Sequence, residues 1–454
     1  MNLSKDRFKF AFILTVLAFF SLFPNLNLYE FRGEESLRVI VAYEMSHGGN
    51  LLQPTFLGDL YFNKPPLFNW FIIFSSYIIP WSELTARIVT IFFLFLTAVL
   101  IYTFTYKLTQ NRLRSIFASL IYVTFIDILF WYGYLAEIDV TLAFFIFLMF
   151  YLMFFGYREN KPLFLIFSGI VAGVSFLLKG FPAYVFFGLS YISFVLFYKE
   201  WKKIFSPYIW IAGFIALFIP FLWILNTADP QRYVQTLFFE SIVRAEGSKD
   251  IGKFLSHLVS YPLLNIKQLL PASLFVLTGF FLYRKEKIFI PSEIKLLLFT
   301  AFINYLPYLV SAGSRGRYVL PLFPVMAVVF SYILFSFNRE KMLKIFLYTA
   351  GFFIFVRFLF GFIGFPIMME KKASRKKAAY DIAKTINIKE KIAFDCSPEK
   401  SVAVYLDFMR GEPLKKSTYT KDWKYLLTCE KTDKGVLLKE YNLKGNILRL
   451  YKRK

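Results

Sequence analysis

Three acidic residues stand at the ends of apolar segments, where ionisable side chains are candidates for chemistry. Glu34 and Glu35 open a helical pattern that runs to Met45, and Asp139 begins a long apolar run. A carboxylate can orient or deprotonate a hydroxyl group. A structural role is the alternative at both places, because acidic residues favour the first turn of a helix and Asp is a common N-cap.

Cationic side chains occur in similar settings, and Lys and Arg can stabilise a phosphate group as its charge develops. Lys64 lies in the run Tyr61–Pro66 (Tyr-Phe-Asn-Lys-Pro-Pro), where two prolines favour an extended backbone beside an apolar segment. Lys179 ends an apolar run, and both lysines could simply extend to the lipid headgroups. The other candidates are Arg38, Asn63, Glu240, Arg244, Arg315, Arg317 and Tyr318. Glu240 and Arg244 could equally form a surface ion pair of little energetic value.

The motifs of several common sites are missing from the sequence. It has no Walker motif, dinucleotide fingerprint or nucleophile elbow. Its two histidines, His47 and His257, lack the spacing of metal ligands, so no cofactor is predicted. Because no nucleotide-binding motif occurs, a phosphate-bearing donor is predicted to be a lipid that approaches from the bilayer.

The composition is that of a membrane protein. Of 454 residues, 57% are hydrophobic and only 18% are charged, and the apolar residues come in long runs. Runs of about 20 apolar residues are long enough to cross the hydrocarbon core as helices. The net charge of +23 is explained better by membrane topology and anionic headgroups than by nucleic acid, because the basic residues lie between the apolar runs and in the C-terminal tail.

The basic connectors predict the topology. The apolar runs fall near 10–28, 66–80, 84–106, 114–133, 140–156, 163–178, 182–197, 207–226, 268–282, 296–311, 318–337 and 345–366. The basic segments are the N-terminal nine residues, Lys107–Arg114, Tyr157–Lys161, Tyr198–Lys203, Tyr283–Lys287 and Arg339–Lys344. All six lie on the cytoplasmic side only if 66–80 is interfacial. We therefore expect an all-α polytopic protein with about 11 spanning helices.

This topology places the candidate residues together on the outer, periplasmic side of a plasma membrane. There the expected features are a loop over 29–83 with an interfacial segment at 66–80, and a third loop over 227–267. A transmembrane domain over 1–366 is followed by a basic tail, 367–454, which has strand-like pieces and is expected to be a small α/β domain. Cys396 and Cys429 in that tail could pair in an oxidising compartment or remain free thiols.

The ordered set of candidate segments resembles the GT-C fold glycosyltransferases related to protein O-mannosyltransferases and, most closely, the aminoarabinose transferases of lipid A. The resemblance covers about residues 1–340. It is carried, in order, by Glu34–Ser36 with Tyr43–Met45, Tyr61–Pro66, Asp139, Lys179–Phe181, Glu240 with Arg244, and Arg315 with Tyr318–Pro321.

The resemblance implies an inverting transfer from a polyprenyl monophosphate sugar to lipid A, lipopolysaccharide or another envelope acceptor. Glu34 would activate or position the acceptor with support from Asp139, although Glu35 could be the working acid because the family usually has Asp at this position. The residues assigned to the donor phosphate are Lys64, Arg244, Arg315, Arg317 and Tyr318. The supporting residues are Arg38, Asn63, Lys179 and Glu240. Asn63 replaces a family Glu associated with metal in relatives, so no metal is assigned and a divalent ion is left open.

Two other membrane functions compete with this interpretation. A glycan polymerase or ligase would use a diphosphate-linked donor, and a lipid or sugar transporter would place ionisable residues near the middle of its helices. Here most candidates lie at helix ends, which counts against the transporter. A non-catalytic membrane scaffold would tolerate the loss of Glu34 and Asp139.

Overall fold

The long apolar runs form helices, because hydrocarbon offers the backbone no hydrogen-bond partners outside its own segment. The structure, a computed structural model, describes residues 3–245, 250–284, 288–443 and 445–454, without the side chains of residues 3, 4 and 242–245. Most of the chain is helical and a small sheet lies near the C-terminus, which confirms the predicted fold class.

The helices are numbered in chain order. The N-terminal helix and the two helices of the first loop are α1 (Leu3–Phe20), α2 (Glu34–Gly48) and α3 (Leu67–Ser76). The next group is α4 (Glu83–Thr109), α5 (Arg112–Thr124), α6 (Ile138–Arg158), α7 (Pro162–Lys179), α8 (Pro182–Tyr198) and α9 (Pro207–Leu225). The last group before the tail is α10 (Pro230–Ala245), α11 (Ile251–Gln268), α12 (Ala272–Leu282), α13 (Ser292–Val310), α14 (Phe323–Ser336), α15 (Glu340–Leu359) and α16 (Phe365–Lys371).

The number of helices that could cross a membrane is lower than the sequence predicts. In the described parts of the chain, seven helices are long and apolar enough, and α11 with α12 would make an eighth if that bent pair were one span. The predicted number of about 11 also includes α1, α5 and α8. Of these, α5 has 13 residues and α8 has 17, and α1 carries four charged residues near its start. Their crossing stays a prediction.

The predicted span at 268–282 needs correction. The helix there, α12, has only 11 residues, and α11 precedes it at a bend of 104°. Pro271 lies at the break, where a proline lacks the N–H group that a continuous helix would use. The third loop, expected over 227–267, therefore consists mainly of the helices α10 and α11.

Two of the most buried helical segments run through the middle of the bundle and begin near one another. In α6, 72% of an apolar 18-residue stretch is buried, and in the segment Gly316–Ser336 the value is 78%. By contrast, only 22% of the corresponding stretch of α9 is buried, so this helix lies on the outside of the bundle. The starts of α6 and of Gly316–Ser336 are therefore held by packing on several sides, which makes them rigid platforms for functional side chains.

The first loop packs against this end of the bundle. Two short strands, β1 (Thr55–Phe56) and β2 (Asp59–Leu60), pair antiparallel between α2 and α3. Helix α3 has 10 residues, about 15 Å at the rise of an α-helix, and is too short to cross a bilayer. Helix α2 packs on α3 and along the C-terminal domain.

The tail forms a small domain with one mixed sheet. Its elements are α17 (Arg375–Thr385), β3 (Ile392–Asp395), α18 (Lys400–Arg410), β4 (Tyr425–Thr428), β5 (Gly435–Asn442) and β6 (Ile447–Arg453). The strand order is β3-β4-β6-β5, with β3 parallel to β4 and the other pairs antiparallel. Cys396 and Cys429 directly follow β3 and β4 and form a disulfide, which decides between the two alternatives left open above. The exact boundary between the domains stays a prediction.

Paired charges fasten the C-terminal domain to the first loop. Ser374 donates a hydrogen bond of 2.9 Å to Glu30, and Lys376 forms an ion pair of 2.7 Å with Glu83. The hydroxyl of Tyr405 accepts from the backbone N–H of Phe31 at 2.8 Å and donates to Glu83 at 2.9 Å. Because these groups are largely buried, the contacts define one fixed arrangement rather than a loose association.

Candidate functional site

The start of α2 separates its two adjacent carboxylates. Glu35 is 1% exposed and bonds to Nε and Nη2 of Arg87 at 2.8 and 2.9 Å. It also accepts a 2.9 Å hydrogen bond from the backbone N–H of Ala136. These contacts fasten α2 to α4 and to the turn before α6. The structure therefore does not bring Glu35 into the cavity described below, and its part as a working acid is replaced by a structural one.

Glu34 points to the other side, where a cavity begins. Its carboxylate lies 3.1 Å from Nη2 of Arg38, one helical turn away, and 3.8 Å from Nη2 of Arg317. Burial raises the pKa of Glu34, but Arg38 and Arg317 outweigh that effect and hold the pKa below its ordinary value. Glu34 is therefore ionised at neutral pH. A carboxylate with a lowered pKa is better suited to orienting an acceptor than to removing a proton from it.

A second acidic pair lies at the start of α6. Asp139 forms an ion pair with Lys179 at the end of α7 and lies 3.9 Å from Nε of Arg317. Glu137, which the sequence analysis did not select, lies 2.9 Å from Nη1 of Arg317. Burial, together with the nearby charge of Asp139, raises the pKa of Glu137 to about 7. The sequence did offer a signal for Glu137, because it lies two residues before the selected Asp139.

Lys64 reaches the same region from the first loop. Its Nζ lies 2.7 Å from a carboxylate oxygen of Glu240 in α10, and it donates to the carbonyl of Asn63 at 2.8 Å. The hydroxyl of Tyr233 donates to the carbonyl of Lys64 at 2.8 Å and so fixes the backbone. Glu240 thus pairs across the fold with Lys64. The side chain of Arg244, assigned above to the donor phosphate, lies outside the described residues.

The turn Gly316–Leu322 brings the last of the candidate residues to this region. Arg317 points inward among the carboxylates of Glu34, Glu137 and Asp139, and the ring of Tyr318 has the Nζ of Lys179 4.9 Å from its centroid. Arg315 is exposed and lines neither of the two cavities described next, so the structure does not support its assignment to the donor phosphate. In a tight turn only some side chains can face inward, and Arg317 takes that position.

Most of the predicted residues line one polar cavity of about 550 Å³. Its walls are Glu34, Leu37, Arg38, Tyr61, Asn63, Lys64, Glu137, Ile138, Asp139, Lys179, Glu240, Arg317 and Tyr318. A second cavity of about 860 Å³ has mostly apolar walls, among them Leu142, Phe181, Val185, Leu237 and Tyr308. Four residues belong to both cavities, namely Lys64, Lys179, Glu240 and Tyr318. These four residues mark the junction of the two cavities. An amphiphilic molecule would fit with its charged head group at this junction.

Arg87 is a supporting residue that the sequence analysis missed. It is fully buried, and besides Glu35 it binds the carbonyl oxygens of Leu26 and Tyr29 at 2.7 and 2.6 Å. The signal was present, since an arginine inside an apolar helical run is a functional or structural candidate. Its partner is 52 residues away in the sequence, so spacing alone gave no indication of the pair.

The described residues show no group of three or more His, Cys, Asp or Glu side chains that could hold a metal ion. The polar cavity instead alternates carboxylates with Lys and Arg side chains. Such a site can bind an anion by exchanging one of its internal ion pairs for a pair with the ligand, because an ammonium group has three donors.

Comparisons with known proteins agree with this architecture. A family model described as dolichyl-phosphate-mannose-protein mannosyltransferase matches residues 63–224. An undecaprenyl phosphate-alpha-4-amino-4-deoxy-L-arabinose arabinosyl transferase from Yersinia enterocolitica is 26% identical over 365 residues, which are 78% of this chain and 63% of that protein. A transferase of the same name from Pseudomonas aeruginosa is 26% identical over 245 residues, 53% of this chain and 44% of that protein. The chain thus spans less than two thirds of either relative.

Solved structures show the same fold along nearly the whole chain. Crystal structures of ArnT from Cupriavidus metallidurans, bound to undecaprenyl phosphate and in the apo state, each superpose with a TM-score of 0.70 at 14% identity. Each superposition covers 97% of both chains. The chain is therefore a multi-pass membrane protein with the GT-C fold, and over residues 63–224 it is similar to the dolichyl-phosphate-mannose-protein mannosyltransferases.

Proposed function

We propose that this chain is an inverting glycosyltransferase that moves a sugar from a polyprenyl monophosphate to an acceptor of the cell envelope, such as lipid A. The observation that carries the proposal is the junction of the two cavities, where Lys64, Lys179, Glu240 and Tyr318 face both spaces. A polyprenyl phosphate sugar has the matching parts. Its chain fits apolar walls, its phosphate fits between two lysines, and its sugar extends into the polar cavity.

The lysines at the junction are set up for an exchange of partners. Without a ligand, Lys64 is paired with Glu240 and Lys179 with Asp139. A donor phosphate would take over part of each pairing and draw both cations toward the leaving oxygen. Stabilising the negative charge that develops on a leaving group is among the largest contributions that a protein can make to such a reaction.

Arg317 has a different proposed role from the donor contact assigned from the sequence. It lies within 4 Å of the carboxylates of Glu34, Glu137 and Asp139. A cation shared by three anions is better suited to holding them in place than to binding a phosphate. We assign Arg317 to positioning these acids around the acceptor.

The reaction breaks the bond between the anomeric carbon and the donor phosphate oxygen and forms a bond from that carbon to an acceptor oxygen. The polyprenyl phosphate leaves with the electron pair. If the acceptor oxygen belongs to a hydroxyl, its proton passes to a base. Glu34 and Glu137 line the polar cavity and are the candidates for that base. If it belongs to a phosphate, the oxygen is already anionic, and Glu34 only orients it.

The relatives and the domain arrangement support the setting of this reaction. Two relatives are named as undecaprenyl phosphate aminoarabinose transferases, and the ArnT crystal structure contains undecaprenyl phosphate. We propose the same donor class here, with the site on the periplasmic side of the inner membrane. The disulfide Cys396–Cys429 fits an oxidising compartment, and the tail packs on the first loop, which supplies Glu34 and Lys64.

A transfer assay with purified full-length protein in detergent tests the proposal. We expect product from an undecaprenyl monophosphate sugar with lipid A as acceptor and none from a nucleotide sugar, because the sequence contains no nucleotide-binding motif. The donor panel should include aminoarabinose, mannose and a diphosphate-linked sugar. Product from the diphosphate donor alone would contradict the proposal in favour of a polymerase or ligase.

A further inference from the structure

The contact surface between the C-terminal domain and the first loop, the seam, reaches the start of α2, where Glu34 lies. Helix α18 packs along α2, and Ser401 Oγ lies 3.0 Å from Ser36 Oγ. Further along the same pair of helices, the hydroxyl of Tyr43 donates to the carbonyl of Asp407 at 3.1 Å. Two fixed contacts therefore set the position of the first residue of α18, Lys400, relative to the start of α2.

Lys400 lies among charged groups of both domains. Its charged neighbours are Glu34 and Arg38 of α2, and Glu399 and Arg375 of the tail. Its side chain is partly buried, and burial lowers the pKa of its ammonium group, with Glu34 and Glu399 opposing the change. Because Glu34 and Arg38 also line the polar cavity, this cation lies near one wall of that cavity rather than extending freely into water.

The other cations of the seam have carboxylate partners. Arg375 bonds to Glu399 at 2.7 Å, and Lys376 bonds to Glu83 at 2.7 Å. Among the residues that the structure describes, no ion pair or side-chain hydrogen bond to the ammonium group of Lys400 is found. The donors of this partly buried ammonium group are therefore open to an anionic ligand.

We propose that Lys400 binds a phosphate monoester of the acceptor where α18 meets the start of α2, so that the C-terminal domain forms part of the acceptor site. This proposal rests on the glycosyltransferase function proposed above. An anionic acceptor that approaches this wall of the cavity meets the carboxylate of Glu34, which repels it. A cation brought by the tail next to Glu34 offsets this repulsion and favours phosphorylated headgroups over neutral ones. Lys400 is thus a residue that sets specificity for the acceptor.

Steady-state kinetics of Lys400→Ala test this role. We expect the KM for lipid A to rise about tenfold, the typical effect of one lost charged hydrogen bond, while the KM for the donor and kcat stay close to wild type. Lys400→Arg should restore most of the acceptor KM. The matched control is Lys434→Ala, an exposed lysine of the same domain, which should change neither KM. An unchanged acceptor KM in Lys400→Ala, or equal shifts in both KM values, would overturn the proposal.

Binding of the acceptor alone keeps this test separate from the proposed reaction. Lipid A with its phosphates and phosphatase-treated lipid A are each titrated onto the detergent-purified protein without donor. Wild type should prefer the phosphorylated form, and Lys400→Ala should lose most of that preference. If wild type binds with this preference but transfers no sugar, the proposed reaction is wrong while the proposed acceptor site is supported. If both proteins bind both lipids equally, the role of Lys400 is refuted.

Discussion

Replacing Lys64 by Ala should lower kcat/KM for a polyprenyl phosphate sugar by at least about a hundredfold, the typical loss on removing one preorganised donor from a developing anion. Lys64 lies at the junction of the two cavities, and its backbone is fixed by Tyr233. Its removal also leaves the carboxylate of Glu240 next to the donor phosphate, which adds repulsion to the lost attraction. Rates measured over a range of donor concentrations, at fixed acceptor, give the change directly.

Two matched variants make the Lys64 result interpretable. Lys64→Arg keeps the charge and should retain more activity than Lys64→Ala, although its planar head group fits differently. Lys253→Ala removes an exposed lysine of α11 that lines neither of the two cavities and should behave as wild type. Wild-type kinetics in Lys64→Ala, with an unchanged melting temperature, would remove Lys64 from the donor site.

Replacing Arg87 by Ala should destabilise the protein by about 3–5 kcal/mol, because it leaves the buried carboxylate of Glu35 without its partner. The side chains of Arg87 and Glu35 are 0% and 1% exposed. The free energy of unfolding can be measured by titrating the purified protein with a denaturing detergent and following helicity. Activity should fall as well, since Glu35 also holds the backbone N–H of Ala136 just before Glu137 and Asp139.

An exposed ion pair is the control for Arg87. Lys391 and Asp422 in the tail are 64% and 65% exposed, so Lys391→Ala should change the stability little. The double variant Arg87→Leu with Glu35→Leu should recover part of the loss, because no unpaired charge remains, but the carbonyls of Leu26 and Tyr29 still lose a donor. If Arg87→Ala and Lys391→Ala lower the free energy of unfolding equally little, the buried ion pair contributes no more to stability than the exposed one.

The membrane-spanning character of the chain could be predicted because it depends on composition alone. Long apolar runs leave a backbone few choices in hydrocarbon, and those runs correspond to the helices observed. The length of α12 was not predicted, because Pro271 permits a break but the bend of 104° to α11 depends on packing around it. The run at 268–282 was apolar enough to be a span, but apolar character does not determine where a helix breaks.

The site was predicted better as a set than residue by residue. Glu34 and Glu35 are neighbours in sequence, but successive residues of a helix point about 100° apart. The rotation of α2, set by the buried partner Arg87, decides that Glu34 faces the cavity and Glu35 does not. Arg315 and Arg317 present the same problem in a turn, where the backbone selects one of two similar side chains.

Contacts between distant segments were beyond the reach of the sequence. Lys64 and Glu240 are 176 residues apart, and Tyr405 reaches Phe31 across 374 residues. Neither pair follows a local spacing rule, so neither could be deduced from periodicity. The position of Lys400 next to the first loop has the same origin, so the sequence predicted the tail as a small basic α/β domain but not its contact with Glu34.

The most direct test of the central claim compares sugar transfer by wild type and Glu34→Gln under identical conditions, with an undecaprenyl monophosphate sugar and lipid A. Glutamine keeps the size of the side chain and removes the charge that Arg38 and Arg317 hold in the cavity. We predict product from wild type and a rate about a hundredfold lower from the variant, because an acceptor that is no longer held in place loses the geometry for attack. Equal rates from the two proteins would contradict the assignment of Glu34 to the acceptor.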